Sequence, residues 1–304
     1  MNGNVPHSIS VNIPTRNRPA HAAECVATVL ATSGFDELIV IDQSDGTATE
    51  EALAAIHDPR FRYVRTPTRG VTIARNLAIE LSKGTIVACT DDDCRVAPDW
   101  ATRIADLFEA DPDIAVICGR VRVPEALQGS GFTLGFDPQV REWKGRYPSL
   151  GDEWGITANM AIRRDVLARV GGFDPMLGAG APLRSGGEPD FIFRVIRAGM
   201  KVLNAREVVV DHLGVRTDGE EAQKLILGYG AGTAAAIYKH VRLGDPAAIR
   251  VYLEFLWSTM YRVGVNVVRG KRPIGLGYLL AFMSGSARSY RFRVDRRLRQ
   301  YVNR

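Results

Sequence analysis

The sequence predicts an α/β fold, a mostly parallel central sheet covered by helices on both faces, followed by a C-terminal helical extension. Three observations predict it. Over the first two hundred residues, short β-branched runs alternate with apolar residues at helical spacing. Runs such as LIVID are apolar on both faces, as strands covered on two sides are. The charge also divides: residues 1–219 hold 24 Lys and Arg against 29 Asp and Glu, and residues 220–304 hold 15 against 5. An acidic front of net −5 thus precedes a basic tail of net +10, which suggests two jobs.

Strands are expected at Ser8–Ile13, Glu37–Asp42, Arg60–Arg65, Thr85–Thr90 and Ile114–Cys118. Helices are expected between them, at His21–Ala31, Thr49–His57, Thr72–Ser82 and Asp99–Ala110. Residues 124–155 are rich in Gly, Pro and aromatics without a clear period, which marks a functional loop. Glu188–Gly199 reads as a helix with Pro189 suited to its first position, and Glu207–Asp211 reads as a closing strand. Beyond residue 219, Ile249–Val268 is long enough to span a bilayer but carries Arg250, Glu254 and Arg262. Pro273–Ala287 is uncharged but shorter than the ~18 residues a span needs. The glycines of Leu225–Ala236 imitate a dinucleotide loop, yet they follow no strand, so close helix packing through Gly228, Gly230 and Gly232 explains them better.

With 304 residues, 46% hydrophobic and 24% charged, the composition excludes disordered, collagenous and multi-pass membrane classes. Cys25, Cys89, Cys94 and Cys118 form no CxxC pair, and the N-terminus lacks basic and apolar leader regions. A reducing cytoplasm is the expected location.

The strongest chemical signal is Asp91–Asp92–Asp93, directly after the apolar run TIVACT. Adjacent carboxylates at a strand end repel one another, and a divalent cation with a taste for hard oxygen ligands, Mg²⁺ or Mn²⁺, relieves that repulsion. In extended chain Asp91 and Asp93 face one side and can share a metal; an acidic helix-capping turn is the alternative. Asp42, at the end of ELIVID, can accept bonds from a base or ribose, or form an Asp-Gly turn. Arg69–Asn76 opens a helix between these sites; Arg75 can serve a diphosphate or sit on the helix surface, and Asn76 can make a polar contact.

At these residues the chain resembles the family 2 glycosyltransferases of the GT-A fold. The resemblance rests on IPTRNR, VIDQSDG, RGVTIARN, TDDDCRVAPDW, ITANMAIRR, VGGFD, GGEPDFIFRVIRAG and VVVDH, in family order over roughly residues 8–215. It implies a metal-dependent, inverting enzyme that moves a sugar from a nucleoside diphosphate to an acceptor hydroxyl, with Mn²⁺ or Mg²⁺ as cofactor. Residues 1–219 would form the catalytic domain, divided near residue 120 into donor and acceptor halves, with residues 220–304 as the extension.

On the donor side the resemblance implies Pro14, Thr15, Arg16, Asp42, Arg69, Arg75, Asn76, Asp91 and Asp92. Asp93, Asp91 and His212 would serve the metal, and His212 is otherwise a surface or capping histidine. By alignment on Arg194 and Gly199, Glu188 stands where the family carries its catalytic Asp, and Asp190 is the rival base. Trp143, Trp154 and Asn159 are placed on the acceptor side, although the aromatics can equally pack under the loop. The acceptor would be a saccharide, a lipid-linked saccharide or a small molecule.

Two other enzyme or binding classes are weighed against this. A nucleotidyltransferase would show a glycine-rich basic loop where PTRNRPA stands, and a non-catalytic sugar binder would show a broken Asp-x-Asp. No nucleic-acid partner is expected, because the tail's basic residues alternate with apolar ones rather than stacking platforms. The tail is expected either to lie on the inner face of the membrane or to form a helical subdomain or homodimer interface.

Overall fold

The computed structural model describes residues 7–139, 141–145, 147–148, 154–215, 219–270 and 275–302. Strand β1 (Ile9–Thr15) is buried along its whole length and is flanked by β2 (Glu37–Asp42) and β4 (Ile86–Thr90), both parallel to it. β3 (Phe61–Arg65) continues the parallel set beyond β2. Side chains alternate across such a strand, and β2 shows the result. Leu38 and Val40 join the core beneath helix α1 (Pro19–Leu30), whereas Ile39 and Ile41 meet Ala74 and Ala78 of α3 (Val71–Leu81) on the other face. The doubly apolar run is therefore the mark of a sheet covered on both sides. The short α2 (Ala48–Leu53) closes the turn between β2 and β3 and ends four residues before the expected His57.

Beyond β4 the direction changes. β8 (Asn159–Arg163) runs antiparallel between β4 and β6 (Ile114–Arg122), and β9 (Lys201–His212) returns parallel to β6. The short β5 (Cys94–Val96) and β7 (Glu142–Trp143) pair antiparallel with β9. Six of the nine strands, in the order β3-β2-β1-β4-β8-β6-β9-β5 with β7 beside β9, thus run one way. α4 (Trp100–Ala110) covers the α1 face; α5 (Arg164–Val170) and α6 (Gly187–Arg197) cover the opposite one.

The tail forms α7 (Gly219–Arg242), α8 (Pro246–Val268), α9 (Leu276–Ser289) and a hairpin of β10 (Arg293–Asp295) with β11 (Gln300–Val302). Ala234, Ile237, Val251, Phe255 and Phe282 share one core with Phe191 and Phe193 of α6. Gly230 and Gly232 let α7 approach Tyr278 and Ser185 where any Cβ would collide, as the helix-packing reading requires. Gly228 differs: a Cβ there would meet open space. Among the described residues, no helix is long and apolar enough to cross a membrane.

Candidate active site

Where β4 ends, the chain turns out of the sheet and presents three carboxylates to a cleft of about 600 Å³. Arg18 Nη1 donates to Asp92 Oδ1 and to Asp93 Oδ2, each at 2.9 Å, and Thr15 Oγ1 donates to Asp92 Oδ2 at 2.8 Å. Arg75, buried on α3, donates to Asp91. Although 31% of the Asp91 side chain opens onto the cleft, it lies deep. Burial pushes its carboxyl up to about 6 against the pull of Arg75, with repulsion from Asp93 and Asp92 adding to the rise. Burial raises Asp92 as well, against Arg18.

His212, at the end of β9, faces this cluster with Nε2 3.3 Å from Asp93 Oδ1. Its tautomer follows from its other side. Thr133 Oγ1 is 2.7 Å from the Gly214 carbonyl, which can only accept, so the hydroxyl proton is spent there. Toward His212 Nδ1, at 3.1 Å, the hydroxyl can then only accept, which places the imidazole proton on Nδ1. With the Nδ1 proton held there, Nε2 faces the carboxylate as a donor when the ring is charged and as a lone pair when it is neutral, and in the neutral form the two acceptors could share a cation. Ligand atoms of Asp93, His212 and Cys94 lie within 4.8 Å of one another. Burial holds the Cys94 thiol well above its ordinary range, so the oxygen and the imidazole are the available donors. That set fits Mn²⁺ or Mg²⁺. Asp91 stands outside this group, engaged by Arg75.

The remaining donor-side residues divide. Pro14 lines the cleft. Asp42 is fully buried, its Oδ2 accepting from Tyr63 Oη at 2.6 Å and its Oδ1 from the Ser44 amide at 2.8 Å. It is a held carboxylate and an Asx turn at once. Arg16 and Arg69 reach instead to the exposed Asp45, at 3.1 and 2.6 Å, and neither lines this cleft. Asn76 corrects the expectation of a ligand contact. Its amide donates to the Phe173 carbonyl and accepts from the Phe173 amide, both at 2.8 Å, clamping α3 to the loop before α6.

Across the cleft stands Glu188, in the first turn of α6, accepting from Thr157 Oγ1 at 2.7 Å. The helix begins at Gly187 because Gly186 takes φ 89°, so Pro189 is its third residue rather than its first. Asp190, the rival base, turns away from the cleft and is fully buried. It accepts from Arg194 Nε at 3.0 Å, Lys239 Nζ at 2.6 Å and His240 Nε2 at 3.0 Å. A carboxylate so enclosed is a structural pin, and the expectation that it could take a substrate proton is corrected.

Two acceptor-side expectations are corrected too. Asn159 is buried; its Oδ1 accepts from Trp100 Nε1 at 2.8 Å, and its Nδ2 donates to the Arg120 and Val208 carbonyls, each at 2.9 Å. Gly119 leaves the space it occupies, since a Cβ there would strike its amide. Trp143 is buried in β7 against β9, away from the cleft. Trp154 does line the cleft, packed on Phe193 at 6.5 Å. Of the loop at residues 124–155, residues 132–136, 154 and 155 line the cavity, whereas residues 140, 146 and 149–153 lie outside the described residues.

Sequence reasoning did not single out Arg18, although it stands in IPTRNR, nor Thr133 and Thr157, which nothing local distinguishes from other loop threonines. It also missed that α7 supplies a wall of the cleft through Lys224, Leu225, Tyr229 and Thr233.

Residues 10–171, over half of the chain, match the sequence model of Glycosyl transferase family 2. A glucosyl-dolichyl phosphate glucuronosyltransferase of Haloferax volcanii is 28% identical over 172 residues, 51% of this chain and 52% of that protein. Succinoglycan biosynthesis protein ExoM of Rhizobium meliloti is 27% identical over 202 residues, 61% of this chain and 60% of that one. The chain thus spans between half and three fifths of these two relatives. In structure, a mannosyltransferase of Pyrobaculum calidifontis solved with GDP-Man and Mn²⁺ matches at TM-score 0.61 and 18% identity, over 93% of this chain and 87% of its own. TarS 1–349 of S. aureus with UDP-GlcNAc matches at 0.60 and 14%, over 92% and 81%. These likenesses establish the GT-A-type fold. The matched stretch runs from β1 through the carboxylate edge to the end of α5, and the chain belongs to Glycosyl transferase family 2.

Proposed function

We propose that this chain is an inverting, metal-dependent glycosyltransferase that moves a sugar from a nucleoside diphosphate to an acceptor hydroxyl in the assembly of a polysaccharide or glycolipid. The observation that carries the reading is the opposition of two acidic walls across one cleft. One wall is the Asp93–His212 pair beside Asp91 and Asp92; the other is Glu188, which accepts from Thr157 and makes no ion pair among the described residues. Related chains solved with GDP-Man and Mn²⁺, or with UDP-GlcNAc, support a nucleotide-sugar partner.

In this reading Asp93 and His212 would hold the divalent cation, which supplies charge stabilisation to the departing diphosphate. Arg18 and Arg75 add cationic donors at the same wall. Thr133 keeps His212 in the tautomer whose Nε2 is basic. Thr157 fixes the Glu188 carboxylate in the first turn of α6. Glu188 accepts the acceptor's hydroxyl proton as that oxygen attacks the anomeric carbon. The bond from that carbon to the diphosphate oxygen breaks, and the nucleoside diphosphate leaves with its electron pair. Attack from the face opposite the leaving group inverts the anomeric centre.

The test is Glu188→Gln, which keeps size and removes the base. Turnover with a competent donor and acceptor should fall about 10²–10⁴-fold, with nucleotide affinity retained. Normal turnover of this variant would overturn the assignment of the base.

A further inference from the structure

Helices α8 and α9 form a hairpin held together on its inner side, where Phe255 stacks on Phe282 with centroids 4.2 Å apart and Tyr252 Oη meets Ser286 Oγ at 2.7 Å. Its outer side is different. At 3.6 residues per turn, Ile249, Leu253, Trp257, Met260, Val267 and Val268 lie along one side of α8, and all are exposed. Trp257 is 73% exposed and Val268 88%. On α9, Leu276, Leu280 and Met283 repeat the pattern. Contiguous apolar faces of this size mark an interaction surface rather than ordinary scatter.

Charge says what covers it. Exposed Arg250 borders the α8 stripe, paired with Glu254; exposed Arg269 follows Val268 at the end of α8, and Arg288 in the last turn of α9 and Arg291 just after it are exposed too. Residues 220–304 carry net +10. A second copy of the same face would set like charges against one another. An anionic lipid surface offers the opposite sign together with an apolar layer, and Trp257 suits the boundary between them. Neither helix can cross a bilayer, so the hairpin would lie in the plane of the surface.

We propose that the outer side of the α8–α9 hairpin docks this protein on an anionic membrane surface. Gly230 of α7 packs on Tyr278 of α9, and α7 also lines the cleft, so one helix separates the catalytic cavity from the lipid. An acceptor held in the membrane would then reach the cavity along that wall. The docking stands whether or not the cleft transfers a sugar.

The test is cosedimentation of the full chain with vesicles of phosphatidylcholine and phosphatidylglycerol in equal parts, beside vesicles of phosphatidylcholine alone, at low and high salt. Trp100, Trp143 and Trp154 are buried, so a blue shift of tryptophan fluorescence on vesicle addition reports Trp257. Binding should need the anionic lipid, weaken with salt, and fall at least tenfold in Trp257→Glu, whose exposed position leaves the fold intact. Arg269→Gln and Arg288→Gln should each weaken binding roughly fivefold. No binding at low salt, or binding that Trp257→Glu leaves unchanged, overturns the proposal. A dimer in solution that Trp257→Glu dissociates, without vesicle binding, gives the face to a second copy and overturns it too.

Discussion

Asp190→Asn separates a structural carboxylate from a catalytic one. Burial by itself would raise the Asp190 carboxyl, but Lys239, Arg194 and His240 hold it well below the usual range. The amide removes the charge that all three face, leaving Lys239 with Asp174 alone, at 2.6 Å, and Arg194 with backbone carbonyls. Breaking one partner out of a buried charged set costs about 3–5 kcal/mol. At about 2 °C per kcal/mol for a chain of this length, Tm should fall on the order of 5–10 °C. The parent protein should show the same network through pH. Arg299 Nε donates to His240 Nδ1 at 3.0 Å while Nε2–H donates to Asp190, so the buried ring is neutral, its pKa pushed down to about 4 by burial against the pull of Asp190. Unfolded, the ring titrates near 6.5. Between those values only the unfolded chain binds the proton, so stability falls as pH drops from about 6.5 to about 4, by on the order of 3 kcal/mol. The depressed Asp190 pKa adds a further loss only below the ordinary carboxylate range. Differential scanning fluorimetry across pH reads both effects, with turnover per folded molecule measured well below the transition. An unchanged Tm in Asp190→Asn, or lost turnover with Tm intact, would refute the reasoning.

Thr133→Val removes the acceptor that holds the His212 proton on Nδ1, so Mn²⁺ affinity measured by calorimetry in the presence of nucleotide should fall about 10–100-fold; unchanged affinity would show that another contact sets the tautomer. Asn159→Ala breaks three hydrogen bonds, two of them buried, and should lower stability by about 2–4 kcal/mol, read by urea denaturation. KM for the acceptor should stay unchanged in that variant, because Asn159 faces Trp100 rather than the cleft.

Strands β1, β2 and β4 were legible because they are buried on both faces and their apolar runs have no competing reading. β5 was not: it is three residues long and exists only by pairing with β9. β9 was expected from Glu207 but begins at Lys201, since its register against β6 shifts between Gly119 and Arg120, and that irregularity hides the earlier half of the strand. In the site, the carboxylate edge and Glu188 could be found from chain order alone. Which of Glu188 and Asp190 faces the cleft could not, because Asp190 is held by Lys239 and His240, about fifty residues later in the chain. Asn159 and Trp143 misled for the same reason. A polar or aromatic residue inside a functional motif looks like a ligand contact until its partner, Trp100 or Val202, is brought beside it.

The central claim is that the cleft binds a nucleoside diphosphate through a cation held by Asp93 and His212. Isothermal titration of UDP and of GDP into the protein, with Mn²⁺ and with chelator, tests it most directly. One of the two nucleotides should bind with Mn²⁺ present and lose that binding with chelator, in Asp93→Asn and in His212→Ala, while each variant keeps the parent Tm in the absence of metal. Equal nucleotide affinity with and without Mn²⁺, or full metal-dependent binding in both variants, would contradict it.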